Sequence, residues 1–383
     1  MNSKRIEEFE GHETPFYFYD LPLLRENLES LKAASDPHDY QVHYALKANT
    51  NPKILEIVQS YGLGADCVSG NEVKAAVESG FPSDHIVFAG VGKADWEINY
   101  ALDQDIFCFN CESLEELKVI NELARAKGKK ANVALRLNPN VNAHTHAYIT
   151  TGLEENKFGI NLWELDQVLE LLKECEQIEL KGLHFHIGSQ ITELFPFKNL
   201  CNKVNEIQEW FYNHRIIVDH INLGGGLGID YMNPDENAYP DYKAYFDLFK
   251  QFLKLRPHQQ VHFELGRSIM GNMGTLVSRI LYVKRGLKTN FLVLDAGMTE
   301  LIRPALYQSY HKIENLSKGH LDGEREKYDV VGPICESSDS FGKAVELPLS
   351  ERGDLIAIRS AGAYAEVMAS SYNMREKAEV LFG

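Results

Sequence analysis

The chain has 383 residues, with 39 Lys and Arg against 55 Asp and Glu, a formal charge of −16. Hydrophobic residues make up 44 % and charged residues 25 %, the composition of a globular protein with material for a large core. No apolar run approaches the ~18 residues of a membrane span, and the acidic balance works against a phosphate backbone, so neither membrane nor nucleic acid is an expected partner. The opening MNSKRIEEFEG carries no apolar signal region, and six cysteines are too sparse for a disulfide scaffold; a reducing cytoplasm fits both.

In chain order, TPFYFYD (14–20) reads as a strand before the main pattern. Short Val-, Ile- and Phe-rich runs then alternate with stretches of helical period. The runs are VHYALKA, GADCV, IVFAG, IFCFN, NVALRLN, LKGLHFHIG, HINLGGG and QVHFELG. Ser69–Glu72 and Ser113–Glu116 match the capping box that opens a helix. Eight strands, each followed by a helix or long connection, point to a (β/α)8 barrel within the α/β class, with an open doubly wound sheet as the alternative. Beyond Glu264 the texture becomes strand-like, in TLVSRILYVKR, NFLVLDAG, YDVVGPIC, KAVELP and DLIAIRS. The expected division is a barrel over 20–262 and a β-rich domain, sandwich or barrel-like, over 263–383, joined by the N-terminal strand segment 1–19. Asn315–Lys327 reads as a polar surface loop.

The C-terminal ends of barrel strands carry the active site, which directs attention to four places. Strand one ends in YALKAN, where period two puts His43, Ala45 and Lys47 on one face. A rim lysine either snorkels to solvent or, desolvated, becomes an amine nucleophile of the Schiff-base kind. Strand six ends in GLHFHIG, with His184 and His186 on one face: a metal pair, or imidazoles beside a flat cofactor. His144 and His146 form a second such pair, read as a loop. Strand seven runs into Gly224–Gly226, a turn whose backbone N–H groups can converge on an anion. Strand eight ends in HFELGRS, offering Glu264 and Arg267, either a structural salt bridge or a carboxylate for a protonated ring nitrogen. Amine, phosphate cradle, carboxylate and imidazole at one rim suggest pyridoxal phosphate; a class I aldolase lysine has no use for the carboxylate. Cys108 and Cys111 form a C-x-x-C without a second pair, read as buried strand thiols rather than a redox or zinc site.

YALKAN, HIGSQ, GGGLGIDY, ELGRSI, DAGMTELIRPALY, GPICESSD and AGAYAEVMASSYN occur in that order over nearly the whole chain. With these segments the sequence resembles the fold-type III pyridoxal-phosphate decarboxylases, and among them those acting on meso-diaminopimelate. The resemblance implies Lys47 as the lysine that carries pyridoxal 5'-phosphate and His186 as the imidazole on its ring. It implies Gly225, Gly226 and Tyr364 at the phosphate, and Glu264 at the ring nitrogen. Gly266 and Arg267 belong to the same cofactor-binding stretch, and Asp66 and Glu72 are acidic neighbours of the lysine. Glu72 has the helix cap as an equal reading. Arg267, Arg303, Tyr307 and Tyr364 would bind the substrate, Glu336 would pair with its distal ammonium, and Cys335 would protonate the α-carbon. A core thiol is the plainer reading of Cys335, and the polar Glu336, Ser337 and Asp339 argue for a loop. Leu265 stands where the family carries proline, with both charged residues and the glycine kept.

Having both Glu336 and Arg303 suits a substrate with a distal amine and a distal carboxylate, meso-diaminopimelate giving L-lysine. A buried arginine beside a simple diamine precursor would cost about 3–5 kcal/mol. Sister decarboxylases of carboxynorspermidine, ornithine or arginine are the alternative. A racemase would want a tyrosine in place of Cys335, and a non-catalytic cofactor carrier would lack the β-rich domain. The resemblance further implies a homodimer whose sites are shared, each borrowing the Cys335 segment of the partner.

Overall fold

The computed structural model describes residues 3–141, 157–318 and 324–383. It divides into two units: Asn27–Gly228 with Pro240–Gly266, and Met1–Glu26 with Ile229–Tyr239 and Arg267–Gly383. The cuts fall a few residues after those read from sequence, because the strand containing Glu264 continues to Leu265 before the chain leaves the barrel. Ile229–Tyr239, an excursion with no regular helix or strand, belongs to the second unit.

A short helix, Ser3–Glu10, comes first, then β1 (Phe16–Tyr19) and the helix Leu21–Ser35, and the barrel strands follow. These are β2 (Gln41–Ala45), β3 (Gly64–Cys67), β4 (Ile86–Phe88), β5 (Cys108–Cys111), β6 (Ala131–Arg136), β7 (Ile178–His184), β8 (His220–Asn222) and β9 (Gln260–Leu265). All neighbours pair in parallel, and β2 closes the ring on β9 with His43 opposite Glu264. Parallel strands covered on both faces read as continuous apolar runs, and β5 is buried at every residue. The covering helices start where their caps predict. Ser69 Oγ accepts the Glu72 N–H at 3.2 Å and Ser113 Oγ the Glu116 N–H at 3.1 Å. The helix Tyr242–Phe252 buries Tyr242, Tyr245, Phe246 and Phe249, the i, i+3, i+4, i+7 stripe of a core-facing helix.

The barrel floor is built from imidazoles. His43 Nε2 lies 2.8 Å from His262 Nδ1, and Phe107 stacks on His262 at 5.2 Å. Glycines on the adjacent strands make the room: a Cβ at Gly64 would collide with His43, and one at Gly182 with His220. Burial pushes His43 down to about 4 and His220 to about 3, so the floor histidines are neutral.

The second unit carries β10 (Gly274–Arg285), β11 (Asn290–Leu294), β12 (Ile313–Asn315), β13 (Arg325–Val331), β14 (Ser340–Pro348), β15 (Leu355–Ile358) and β16 (Glu379–Phe382). The sheet order is β12-β15-β10-β11-β13-β14, and β1 pairs with both β10 and β16. Phe9, Phe16 and Phe18 pack with Val277, Leu355 and Ala357 as its core. The segment read as a polar loop gives Asn315 to β12 and Arg325–Lys327 to β13, where pairing with neighbouring strands supplies what the apolar pattern lacks. Among the described residues no helix is long and apolar enough to cross a membrane.

Candidate active site

In the barrel unit, β2 ends at Ala45, and a short 3-10 turn, Leu46–Ala48, carries Lys47. The lysine is therefore beyond the strand face that period two assigned it. Its Nζ donates to Oδ2 of the fully buried Asp66 at 2.8 Å. Burial, then the charge of Glu264, pushes the Asp66 carboxyl up, while Lys47 pulls it down. Glu72 accepts the Val68 N–H at 2.6 Å and rises to about 7, chiefly by burial. It lies in the first turn of its helix and stands within the electrostatic reach of Lys47.

Glu264, on β9, is buried and fully engaged. Oε1 accepts from Asn110 Nδ2 at 3.0 Å and Asn222 Nδ2 at 2.8 Å, and Oε2 meets His184 Nε2 at 3.0 Å. Burial alone would raise this carboxyl, but His184, through charge and hydrogen bond, and then Lys47 outweigh it and hold the group well below the usual range. The strand β7 ends at His184, which separates the two histidines expected on one face. His184 serves the carboxylate, whereas the half-buried His186 accepts the Gly225 N–H on Nδ1 at 3.2 Å. Burial and the charges of Arg136 and Lys47 keep His186 neutral.

The glycine turn after β8 admits no side chains. Gly224 and Gly226 have φ of +67° and +103°, and a Cβ at Gly225 would run into the Glu264 carbonyl. Asn222 ties this turn to the carboxylate, because its Oδ1 accepts the Gly224 N–H at 2.9 Å while its amide nitrogen holds Glu264. Gly266 is the last residue of the barrel unit.

The β-rich unit holds the remaining expected residues in two groups. In one, Arg267 donates from Nη1 to the Tyr231 hydroxyl at 2.7 Å and lies over the Tyr364 ring at 4.7 Å. Arg303 starts the short helix Arg303–Tyr307, which leaves Tyr307 within its electrostatic reach. It donates to Ser309 Oγ at 3.2 Å and sits 5.7 Å from the Tyr231 ring. Its Nε is buried with no hydrogen-bond partner among the described residues. Burial lowers its pKa, and the Arg267 charge adds to that. His311, whose ring edge meets Tyr231 at 5.2 Å, is driven down to about 3 by burial and then by Arg303, so it adds no third charge. In the other group, Cys335 and Glu336 occupy an exposed turn between β13 and β14, beside Tyr372 and Asn373.

Asn110, Asn222, His184's role and Tyr231 were not read from sequence. The available signal was an asparagine at the end of an otherwise apolar strand, as in FCFNC and HINL. Cys108 and Cys111 are buried free thiols of β5, both pushed up by burial. His144 and His146 lie outside the described residues. Among the described residues no three His, Cys, Asp or Glu side chains are placed to hold a metal ion.

The barrel groups fit pyridoxal phosphate: a primary amine, a carboxylate kept charged, a neutral flat imidazole and a turn that a Cβ would fill. The family described as "Pyridoxal-dependent decarboxylase, pyridoxal binding domain" matches residues 23–271. The diaminopimelate decarboxylase of Bacteroides thetaiotaomicron is 58 % identical over 373 residues, covering 97 % of this chain and 96 % of that one. That of Aquifex aeolicus is 40 % identical over 371 residues, covering 96 % and 86 %. The crystal structure of Helicobacter pylori diaminopimelate decarboxylase complexed with L-lysine superposes with a TM-score of 0.91 at 39 % identity, covering 98 % and 93 %.

Proposed function

The chain belongs to the diaminopimelate decarboxylase family of pyridoxal-dependent decarboxylases, and on that premise we propose that it removes the carboxylate at the D-centre of meso-diaminopimelate, giving carbon dioxide and L-lysine. The observation that carries this reading is Glu264, a buried carboxylate held charged by three donors in the same barrel as the Lys47 amine. Such a group matches a protonated ring nitrogen, which a lysine acting alone does not require.

Pyridoxal phosphate, when bound, supplies an electron sink for the pair that departing carbon dioxide leaves behind. Lys47 would hold its aldehyde, and Asp66 takes up the ammonium charge of the free lysine. Glu264 would keep the ring nitrogen protonated, and His186, held by the Gly225 N–H, would offer its flat imidazole to the ring. Gly226 would hold the phosphate, with Gly225 and Gly266 contributing their lack of side chains, and the Tyr364 phenol would be a further phosphate donor. Arg267 completes the cofactor-binding stretch and meets a substrate carboxylate, a bidentate task that suits guanidinium.

Arg303 takes the distal carboxylate. A buried cation with an unpartnered Nε is costly until an anion reaches it, which favours this substrate over ornithine or arginine, whose distal ends carry no carboxylate. Tyr307 adds a hydroxyl, Glu336 pairs with the distal ammonium, and the Cys335 thiol delivers the proton to the α-carbon. Cys335 and Glu336 are exposed, which supports a homodimer in which this turn completes the site of the partner. Six free cysteines accord with a cytoplasmic enzyme.

The test supplies the purified protein with pyridoxal phosphate and follows carbon dioxide release from meso-diaminopimelate, ornithine and arginine. Release from the first alone, with a visible absorbance band that Lys47→Ala abolishes, is the expected result. Release only from ornithine or arginine would move the protein to a sister activity, and no band would remove Lys47 from its role.

A further inference from the structure

The turn that carries Cys335 is braced from beneath by a buried carboxylate. Asp339 accepts the Ile334 N–H on Oδ2 and the Met298 N–H on Oδ1, each at 2.7 Å, while its own N–H donates to the Glu336 carbonyl at 3.1 Å. Facing the turn is the segment 370–375, fixed at both ends. Ser370 N–H donates to the Thr299 carbonyl at 2.9 Å, and Arg375 Nη2 to the Asp295 carbonyl at 2.7 Å. Within it Asn373 adopts φ +56°, a left-handed conformation that asparagine tolerates better than most residues.

That conformation brings both ends of the Asn373 amide to a single residue. Oδ1 accepts the Cys335 N–H at 3.3 Å, and Nδ2 donates to Cys335 Sγ at 3.2 Å. The neighbouring Tyr372 hydroxyl donates to Glu336 Oε1 at 2.9 Å and lies 3.9 Å from Sγ. One dipeptide therefore fixes both the thiol and the carboxylate beside it.

We propose that Asn373 is a positioning residue for the proton donor: its two-point clasp sets the direction of the Cys335 thiol, and its N–H stabilises the thiolate left after proton delivery. The inference rests on the role given to Cys335 above. In the step concerned, the S–H bond breaks with its electron pair staying on sulfur, and the substrate carbanion forms the new C–H bond. Solvent then returns a proton to sulfur. A hydrogen bond to the charged form favours that form, and an N–H aimed at sulfur is such a bond. Tyr372 retains its own proton, because its bonds to Glu336 and then Cys335 raise it to about 12. It therefore acts as a fixed strut for Glu336.

The experiment measures the pH profile of iodoacetamide alkylation at Cys335 in the holoenzyme, site-selective because the other five cysteines are buried. Asn373→Ala is expected to move the half-maximal pH upward by about one unit, which is about tenfold less thiolate at a fixed pH below it. Asn373→Asp keeps the acceptor but sets an anion beside sulfur, and should move the profile further. In both variants kcat falls while KM for the substrate changes little, because Asn373 holds the thiol and not the substrate. Unchanged alkylation profiles in the two folded variants overturn the proposal. Failure of the decarboxylase reading is separate: the wild-type protein would release no carbon dioxide, whatever its alkylation profile.

Discussion

The barrel and the β-rich unit hold their reactive groups by opposite means. In the barrel, Glu264 and Asp66 are buried among two amides, an imidazole and one amine, each from the end of a different strand or the turn just after it. Their geometry follows from strand register and the short turn that directly continues β2. In the β-rich unit Cys335 and Glu336 stand exposed on a turn, propped by Asp339 on one side and by Tyr372 and Asn373 on the other. The two carboxylates are packed into the sheet, whereas the thiol proposed as the proton donor is on a braced turn. Such a turn can serve a site other than that of its own chain.

The largest effect separates the two regions genetically. Lys47→Ala and Cys335→Ala should each be inactive as homodimers. If the turn serves the partner, dissociating and remixing the two should restore roughly a quarter of wild-type activity, since half the dimers are mixed and each has one intact site. Recovery of nothing from well-mixed dimers would place the turn in its own chain's site.

Acid should break the barrel from its floor. Unfolded histidine titrates near 6.5, whereas His43 and His220 fall to about 4 and about 3 on burial, and His262 falls well below its usual value. Between those values the unfolded chain binds more protons than the folded one, so stability rises with pH and is lost as pH falls below ~6.5. The His43 difference alone amounts to about 3 kcal/mol when fully expressed. Glu72, raised to about 7, works the other way, contributing stability in acid that fades as pH rises toward 7. The urea midpoint is expected to drop from pH 7 to pH 4.5, and a flat or rising midpoint would mean the floor takes up protons without cost.

What the sequence made legible follows from the range of each interaction. Eight apolar runs at regular spacing, the lysine within YALKAN and three glycines after HINL are local signals; the runs supply the barrel strands, and the lysine and glycines lie just beyond strand ends. The strand end itself was less legible. His184 and His186 share a period-two face on paper, but β7 stops at His184, and the two imidazoles take separate partners. The residues that make Glu264 a fixed charge were not legible as such. Asn110 lies 154 residues from it in sequence, and only barrel closure brings them to 3.0 Å. Asn373 was hidden for a similar reason, since its meaning depends on a left-handed φ and a partner 38 residues away. The short β12 and β16 carry too few residues for a pattern and exist because neighbouring strands offer open edges.

The finest test of the barrel's pre-set charge compares its two asparagines. Both donate to the same Glu264 oxygen, so loss of either leaves one donor on Oε1 and His184 on Oε2. Asn222 also accepts the Gly224 N–H, coupling the carboxylate to the glycine turn, whereas Asn110 Oδ1 has no hydrogen-bond partner among the described residues. Asn110→Ala therefore removes one bond to a charged group, costing about 1.5–3 kcal/mol. Asn222→Ala removes that bond and frees the turn as well, and should cost about 1 kcal/mol more. In pyridoxal phosphate titrations, Asn222→Ala should weaken binding beyond Asn110→Ala, because it disturbs Glu264 and the glycine turn together, the two features proposed to meet the ring nitrogen and the phosphate. Equal losses in stability and in cofactor affinity would show that the Gly224 bond does not couple the two, and that the turn holds its shape through its glycines alone.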